Sequence, residues 1–236
     1  MPHTRIHLAP DAPTLARQLA TLVADRLRQA LAQRGEAVLV VSGGQTPVPF
    51  FRALRDEVLD WSSVHVLLAD ERWVPVGHAD SNEALVRTEL LQGAAAAASC
   101  LSLLTDDATP HEALPTLEAR LSGLPWPADV VVLGMGGDGH TASLFPHAPE
   151  LTEALQARPA TRCLAVQAPE RPNVPVPRIS LNAATLRAAR LVLVHTTGAA
   201  KWALLQQALL DGPVEELPIR LVWRASGGDW QIHHAM

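Results

Sequence analysis

A few short segments of this 236-residue chain set chemically active side chains beside glycine. His140 closes the run Gly134-Met135-Gly136-Gly137-Asp138-Gly139-His140-Thr141. An imidazole in a tight polar loop suits proton transfer, and a nearby carboxylate can fix its tautomer. Asp138 stands two residues before it, and the sequence leaves open whether it orients His140 or caps the loop. The glycines of this run, Gly136 and Gly137 among them, let backbone N–H groups approach a reacting oxygen. A second segment, Ser42-Gly43-Gly44-Gln45-Thr46-Pro47, suits an anion. Its glycines permit close backbone approach, and the following helix adds partial positive charge. We place Ser42, Gly43, Gly44 and Thr46 in the candidate binding set; the competing reading is an ordinary turn with Ser or Thr as helix cap. In Asp70-Glu71-Arg72, the arginine is either one half of a surface ion pair or a bidentate phosphate ligand, and Asp70 is counted with it. Lys201 is the one lysine among 19 basic residues, which points to a need for a compact ammonium.

These residues have to be positioned by the elements that carry them. Strands are expected at Arg5–Ala9, Ala37–Val41, Val64–Ala69, Asp129–Leu133 and Leu191–His195, with shorter ones at Leu164–Gln167 and Arg178–Leu181. A tail strand, Trp230–His233, is expected at a sheet edge. Helices are expected at Thr14–Arg34, with Gly35 as its C-cap, and at Pro47–Leu59. Others follow at Ser81–Gln92 with a serine cap, Pro110–Leu121 with an irregularity at Pro115, Ala183–Ala189 and Ala199–Leu210. Strands apolar on both faces, alternating with helices, imply an α/β fold: a Rossmann-like, open, mostly parallel sheet with helices on both faces, formed by residues 1–236 as one unit. Right-handed crossovers then bring all the strand C-termini to one edge, where ligands bind in such folds. The active segments follow four different strands, so they converge on that edge.

Composition and motifs exclude other classes. A net charge of −5 gives no global attraction to nucleic acid or an anionic membrane. Gly134-x-Gly136-x-x-Gly139 formally matches a dinucleotide fingerprint, but Pro146 and Pro149 interrupt the helix that should follow, and no acid ends a strand where one is needed. The Walker A and G-x-S-x-G patterns are absent. Cys100 and Cys163 form no CxxC pair, and no histidines have metal-ligand spacing, so no metal is expected. Of the other histidines, His78 and His147 are placed near the site and His195 behind it; His3, His7, His65, His111, His233 and His234 are placed at the surface or termini. Met1–Pro13 has no apolar signal core, and a cytoplasmic protein, monomeric or weakly dimeric, is expected.

Together the segments SGGQTP (Ser42–Pro47), DERWVP (Asp70–Pro75), HADSN (His78–Asn82), GMGGDGHTASLFP (Gly134–Pro146), PRISLN (Pro177–Asn182) and TTGAAKWALL (Thr196–Leu205) closely resemble the 6-phosphogluconolactonase family. The resemblance implies a fold shared with glucosamine-6-phosphate deaminase and ribose-5-phosphate isomerase, and cofactor-free hydrolysis of a small phosphorylated sugar lactone. It maps a catalytic histidine onto His140 and phosphate-binding cations onto Arg72, Arg178 and Lys201. The chain departs from the family at Gln45, often serine, and at Ile219-Arg220, often small residues. The aminosugar-phosphate deaminase branch is the nearest alternative, but it carries Asn-Glu-Pro where Phe145 is followed by Pro146-His147 and Asp-Glu-Tyr where Asp70-Glu71-Arg72 stands. A non-catalytic sugar-phosphate sensor is a further alternative, against which stands the lack of any added basic domain.

Overall fold

All five residues of the apolar run Ala37–Val41 are completely buried, which requires cover on both faces of the sheet they enter. The computed structural model describes residues 5–156, 161–169, 175–224 and 229–236; His3 lies outside them. Its strands are β1 (Arg5–Ala9), β2 (Ala37–Val41), β3 (Val64–Leu68), β4 (Asp70–Arg72), β5 (Ser99–Leu101), β6 (Val130–Leu133), β7 (Cys163–Gln167), β8 (Pro177–Leu181), β9 (Leu191–Thr197) and β10 (Asp229–Ala235). Seven of them form one sheet in the order β1-β10-β9-β6-β2-β3-β5, and every pairing in it is parallel.

The helices are α1 (Ala12–Arg34), α2 (Val48–Arg55), α3 (Asn82–Glu89), α4 (Pro110–Ser122), α5 (Pro149–Gln156), α6 (Ala183–Arg187) and α7 (Ala199–Leu209). Helix α1 buries Leu15, Leu19, Val23 and Leu27, the face its periodicity predicts. It ends at Gly35, whose φ of 79° is left-handed and whose N–H returns to Leu31. Ser81 caps α3 by accepting from Ala84 N–H.

The structure corrects the sequence reading in five places. The tail strand is not an edge: β10 lies between β1 and β9, and β1 is the edge. The segments around Leu164 and Arg178 do not join the parallel sheet; β7 and β8 pair antiparallel and take Asp70–Arg72 as a third strand, in the order β4-β8-β7. Three residues are too few for periodicity to register. Ser99–Leu101, where no strand was expected, forms β5 beside β3. Helix α5 starts at Pro149, since proline fits a first turn. His233 and His234 are buried, at 4% and 1% exposure, because β10 is internal. Imidazole packing accommodates them: His233 stacks on His7, and His234 stacks on Trp202 of α7.

Among the described residues no helix is long and apolar enough to cross a membrane.

Candidate active site

The C-terminal edge of the large sheet carries a cavity of about 200 Å³. Ser42, Gly43, Gly44, Thr46, Asp70, Arg72, Gly136, His140, Arg178 and Lys201 all line it. Of the candidate set, Gly137 and Asp138 do not line it. Gly137 is exposed. Asp138 acts from behind: its Oδ1 lies 2.5 Å from His140 Nδ1 and accepts from His140 N–H at 3.1 Å. It therefore both orients the imidazole and caps the loop. With Nδ1 tied to a carboxylate, Nε2 is left as the basic nitrogen. The ring also packs on Phe145, centroids 4.8 Å apart.

Glycine at 136 has a steric reason. A Cβ there would sit 2.1 Å from both Nδ1 and Cε1 of His140, inside the imidazole. The Gly136 N–H donates to the His140 carbonyl, and Gly139 N–H to the Gly136 carbonyl. Those two donors are used to close the loop, so the Gly136 and Gly139 N–H groups are not available to a reacting oxygen, contrary to the part expected of these two. Gly139, at φ 83°, lies under Leu217, and its carbonyl accepts from Ile219 N–H. The next residue, Arg220, is buried and donates to the carbonyls of Gln207 and Ala208 at the end of α7 and to that of Pro213 in the segment after it. The family departure at Ile219-Arg220 thus becomes a helix-end cap, for which Gly212 leaves room.

The anion loop differs from an ordinary capped turn. Helix α2 has no side-chain cap, so Ser42 and Thr46 do not serve it. Ser42 Oγ instead accepts from Gly134 N–H at 3.3 Å, joining this loop to the His140 loop. A Cβ on Gly43 would collide with the buried Asn82 amide, 1.9 Å from Oδ1.

Arg72 and Arg178 face each other directly across the antiparallel β4–β8 pair. Like charges so placed repel. Arg178 is 3% exposed, and burial holds its guanidinium below the ordinary arginine value, with Arg72 adding to that and Asp70 opposing it. Asp70 Oδ2 lies 3.8 Å from Arg178 and accepts from Ser143 Oγ at 2.6 Å. Arg72 forms no ion pair with Asp70 or Glu71; its Nη1 donates to the Asp80 carbonyl and its Nε is buried without a partner. Glu71 turns away to cap α3, accepting from the N–H groups of Arg72, Asn82 and Glu83 and from Ser81 Oγ. Burial pushes its carboxyl above the ordinary range against those four donors.

Lys201, in the first turn of α7, has no hydrogen bond or ion pair among the described residues; burial holds its ammonium below the ordinary lysine value. Asn82, Gln45 and His195 also line the cavity and were not in the candidate set. Asn82 was signalled by its place in the HADSN stretch and His195 by its place at a strand end. His78 and His147 do not line the cavity. Among the described residues no cluster of His, Cys, Asp and Glu fits a metal.

The family model described as glucosamine-6-phosphate isomerases/6-phosphogluconolactonase matches residues 10–231. The chain belongs to this family. Among individual members of the glucosamine-6-phosphate isomerase/6-phosphogluconolactonase family, a 6-phosphogluconolactonase of Pseudomonas aeruginosa is 50% identical over 215 residues, 91% of this chain and 89% of that protein. A crystal structure of a 6-phosphogluconolactonase from Shewanella baltica superposes with a TM-score of 0.94 at 37% identity, covering 99% of this chain and 98% of that one. A monomeric glucosamine-6-phosphate deaminase, at 17% identity and a TM-score of 0.79, shares the fold; it covers 98% of this chain and 97% of that one.

Proposed function

We propose that this chain hydrolyses 6-phospho-D-glucono-1,5-lactone to 6-phospho-D-gluconate, the lactonase step of the oxidative pentose phosphate pathway. The carrying observation is that His140, held from behind by Asp138, and the cations Arg72, Arg178 and Lys201, far apart in sequence, border one cavity. The two 6-phosphogluconolactonases named above, similar across nearly the whole chain, support the same reaction.

Arg72, Arg178, Lys201 and the N–H groups of Gly43 and Gly44 hold the 6-phosphate. An anion between the two guanidiniums relieves their mutual repulsion, which gives the otherwise unfavourable pair a purpose. Anchoring the phosphate places the lactone C1 beside His140 and supplies orientation. His140 Nε2 takes a proton from water as the oxygen attacks C1, and Asp138 steadies the imidazolium. The proton then passes from His140 to the departing ring oxygen, which opens the lactone. No metal or redox group enters this scheme.

An aminosugar-phosphate deaminase needs a carboxylate to assist ring opening. Asp70 is the one carboxylate lining the cavity among the described residues, and it is engaged by Ser143 and Arg178. Two assays test the assignment side by side: proton release on freshly made 6-phosphogluconolactone, and ammonia release from glucosamine 6-phosphate. Accelerated proton release without ammonia is the expected result. Ammonia release moves the chain to the deaminase branch, and sugar-phosphate binding without either product makes it a sensor.

A further inference from the structure

His195 sits near the end of β9, is only 3% exposed, and lines the cavity. It makes no hydrogen bond among the described residues, an unusual state for a buried imidazole. Phe50 of α2 meets the ring edge-on, centroids 6.1 Å apart, and fixes its plane. Of its nitrogens, Nδ1 is sealed among protein atoms without a partner, whereas Nε2 is not among the sealed atoms. A proton on Nδ1 would be a buried donor with nothing to bind, so the proton belongs on Nε2. The neutral ring is reinforced by its surroundings: burial first, then the Lys201 ammonium and His234, hold it down to about 4. A neutral N–H donor therefore lines the same cavity as Lys201 and the Ser42–Pro47 loop.

We infer that His195 is an uncharged ligand of the substrate phosphate, donating from Nε2 to a phosphoryl oxygen beside Lys201. This rests on the reading that the cavity holds a phosphorylated sugar. The charge balance explains why neutrality matters. Three cations already face a phosphate that carries at most about two negative charges. A fourth cation would raise the repulsion in the empty site, while a neutral donor adds a hydrogen bond without it.

The test compares His195→Leu with His195→Gln, whose amide can offer a donor near the Nε2 position. Two quantities are read: the Michaelis parameters for the lactone, and the inhibition constant of inorganic phosphate. For His195→Leu, KM and the phosphate inhibition constant both rise about 10-fold, with kcat nearly unchanged; His195→Gln recovers most of the loss. Equal phosphate inhibition of the unmodified and His195→Leu enzymes overturns the inference, as does a loss confined to kcat. If inorganic phosphate fails to compete even with the unmodified enzyme, the phosphate-site reading itself falls, which is a distinct result. Should His195→Leu not fold, nitrogen NMR of the unmodified protein decides: a neutral Nε2–H tautomer whose Nε2 signal moves on saturation with inorganic phosphate is expected. An imidazolium, or an unmoved signal, overturns it.

Discussion

The two sheets build the site by different means. The seven-stranded sheet places His140 and Lys201 by ending parallel strands at one edge, and its inner strands β2 and β6 are apolar and buried throughout. The three-stranded sheet places Arg72 and Arg178 by register, one opposite the other, and accepts an electrostatic cost in doing so. The first sheet buries its inner strands whether or not a ligand is bound, and it carries the pair proposed for proton transfer. The second acquires its rationale only with an anion present. On the proposed reading the large sheet supplies the rate-determining pair together with part of the phosphate cradle, whereas the small sheet supplies affinity alone, and that division can be tested.

The largest effect belongs to the large sheet. His140→Ala is expected to lower kcat at least about 100-fold while leaving KM nearly unchanged, since general base catalysis typically contributes about 10²–10⁴-fold. Steady-state hydrolysis of fresh lactone, corrected for its spontaneous opening, measures this. Near-normal turnover in a folded variant removes His140 from the mechanism.

The large sheet also carries a pH liability. His195 and His233 are held down by burial, to about 4 and about 3. Their folded forms resist protonation that the unfolded chain accepts from about pH 6.5 downward. Their stabilising contribution is therefore complete above that value and is lost as pH falls towards the folded values, at up to about 1.4 kcal/mol per pH unit for each group. Denaturant midpoints should drop between neutrality and about pH 5, and His233→Gln should flatten the slope. A midpoint independent of pH over that interval contradicts the buried neutral state.

The small sheet predicts the complementary kinetic result. Arg72→Ala should raise KM about 10-fold or more, the worth of a charge-assisted hydrogen bond, with a much smaller change in kcat. A drop in kcat at constant KM would place Arg72 with the reacting atoms and erase the division between the sheets.

The division also marks what could be read from sequence. The strands of the large sheet were legible because continuous apolar runs such as Ala37–Val41 have one outcome, burial on both faces. The His140 loop and the Ser42–Pro47 loop were legible because they follow such strands. The position of β10 was not, since Asp229–Ala235 contains two histidines whose burial depends on β1 lying beside it. The small sheet was illegible as a sheet: Asp70–Arg72 is polar and three residues long, and only β8 makes it a strand. Its arginines could be named from type and resemblance, but not their mutual register. Glu71 looked like a partner for Arg72, and the need of the α3 N-terminus for an acceptor overrode that pairing.

The smallest expected effect tests the joint between the sheets. Ser143 follows the His140 loop of the large sheet, yet both its polar groups reach the small one: its N–H donates to Ser180 Oγ of β8, and its Oγ to Asp70 Oδ2 of β4. Asp70 in turn lies 3.8 Å from Arg178. Ser143→Ala removes one hydroxyl donor to a buried carboxylate, so stability should fall by about 1–3 kcal/mol, read from denaturant midpoints. Asp70 then loses one restraint on its position beside Arg178, and KM should rise by a factor of about three, a fraction of what losing a whole guanidinium contact costs. The kinetic split decides which sheet the joint serves. A rise in KM with kcat held means that Ser143 braces the phosphate end. A fall in kcat with KM held means that the joint braces the His140 loop instead, and that the two sheets act on the reaction as one unit.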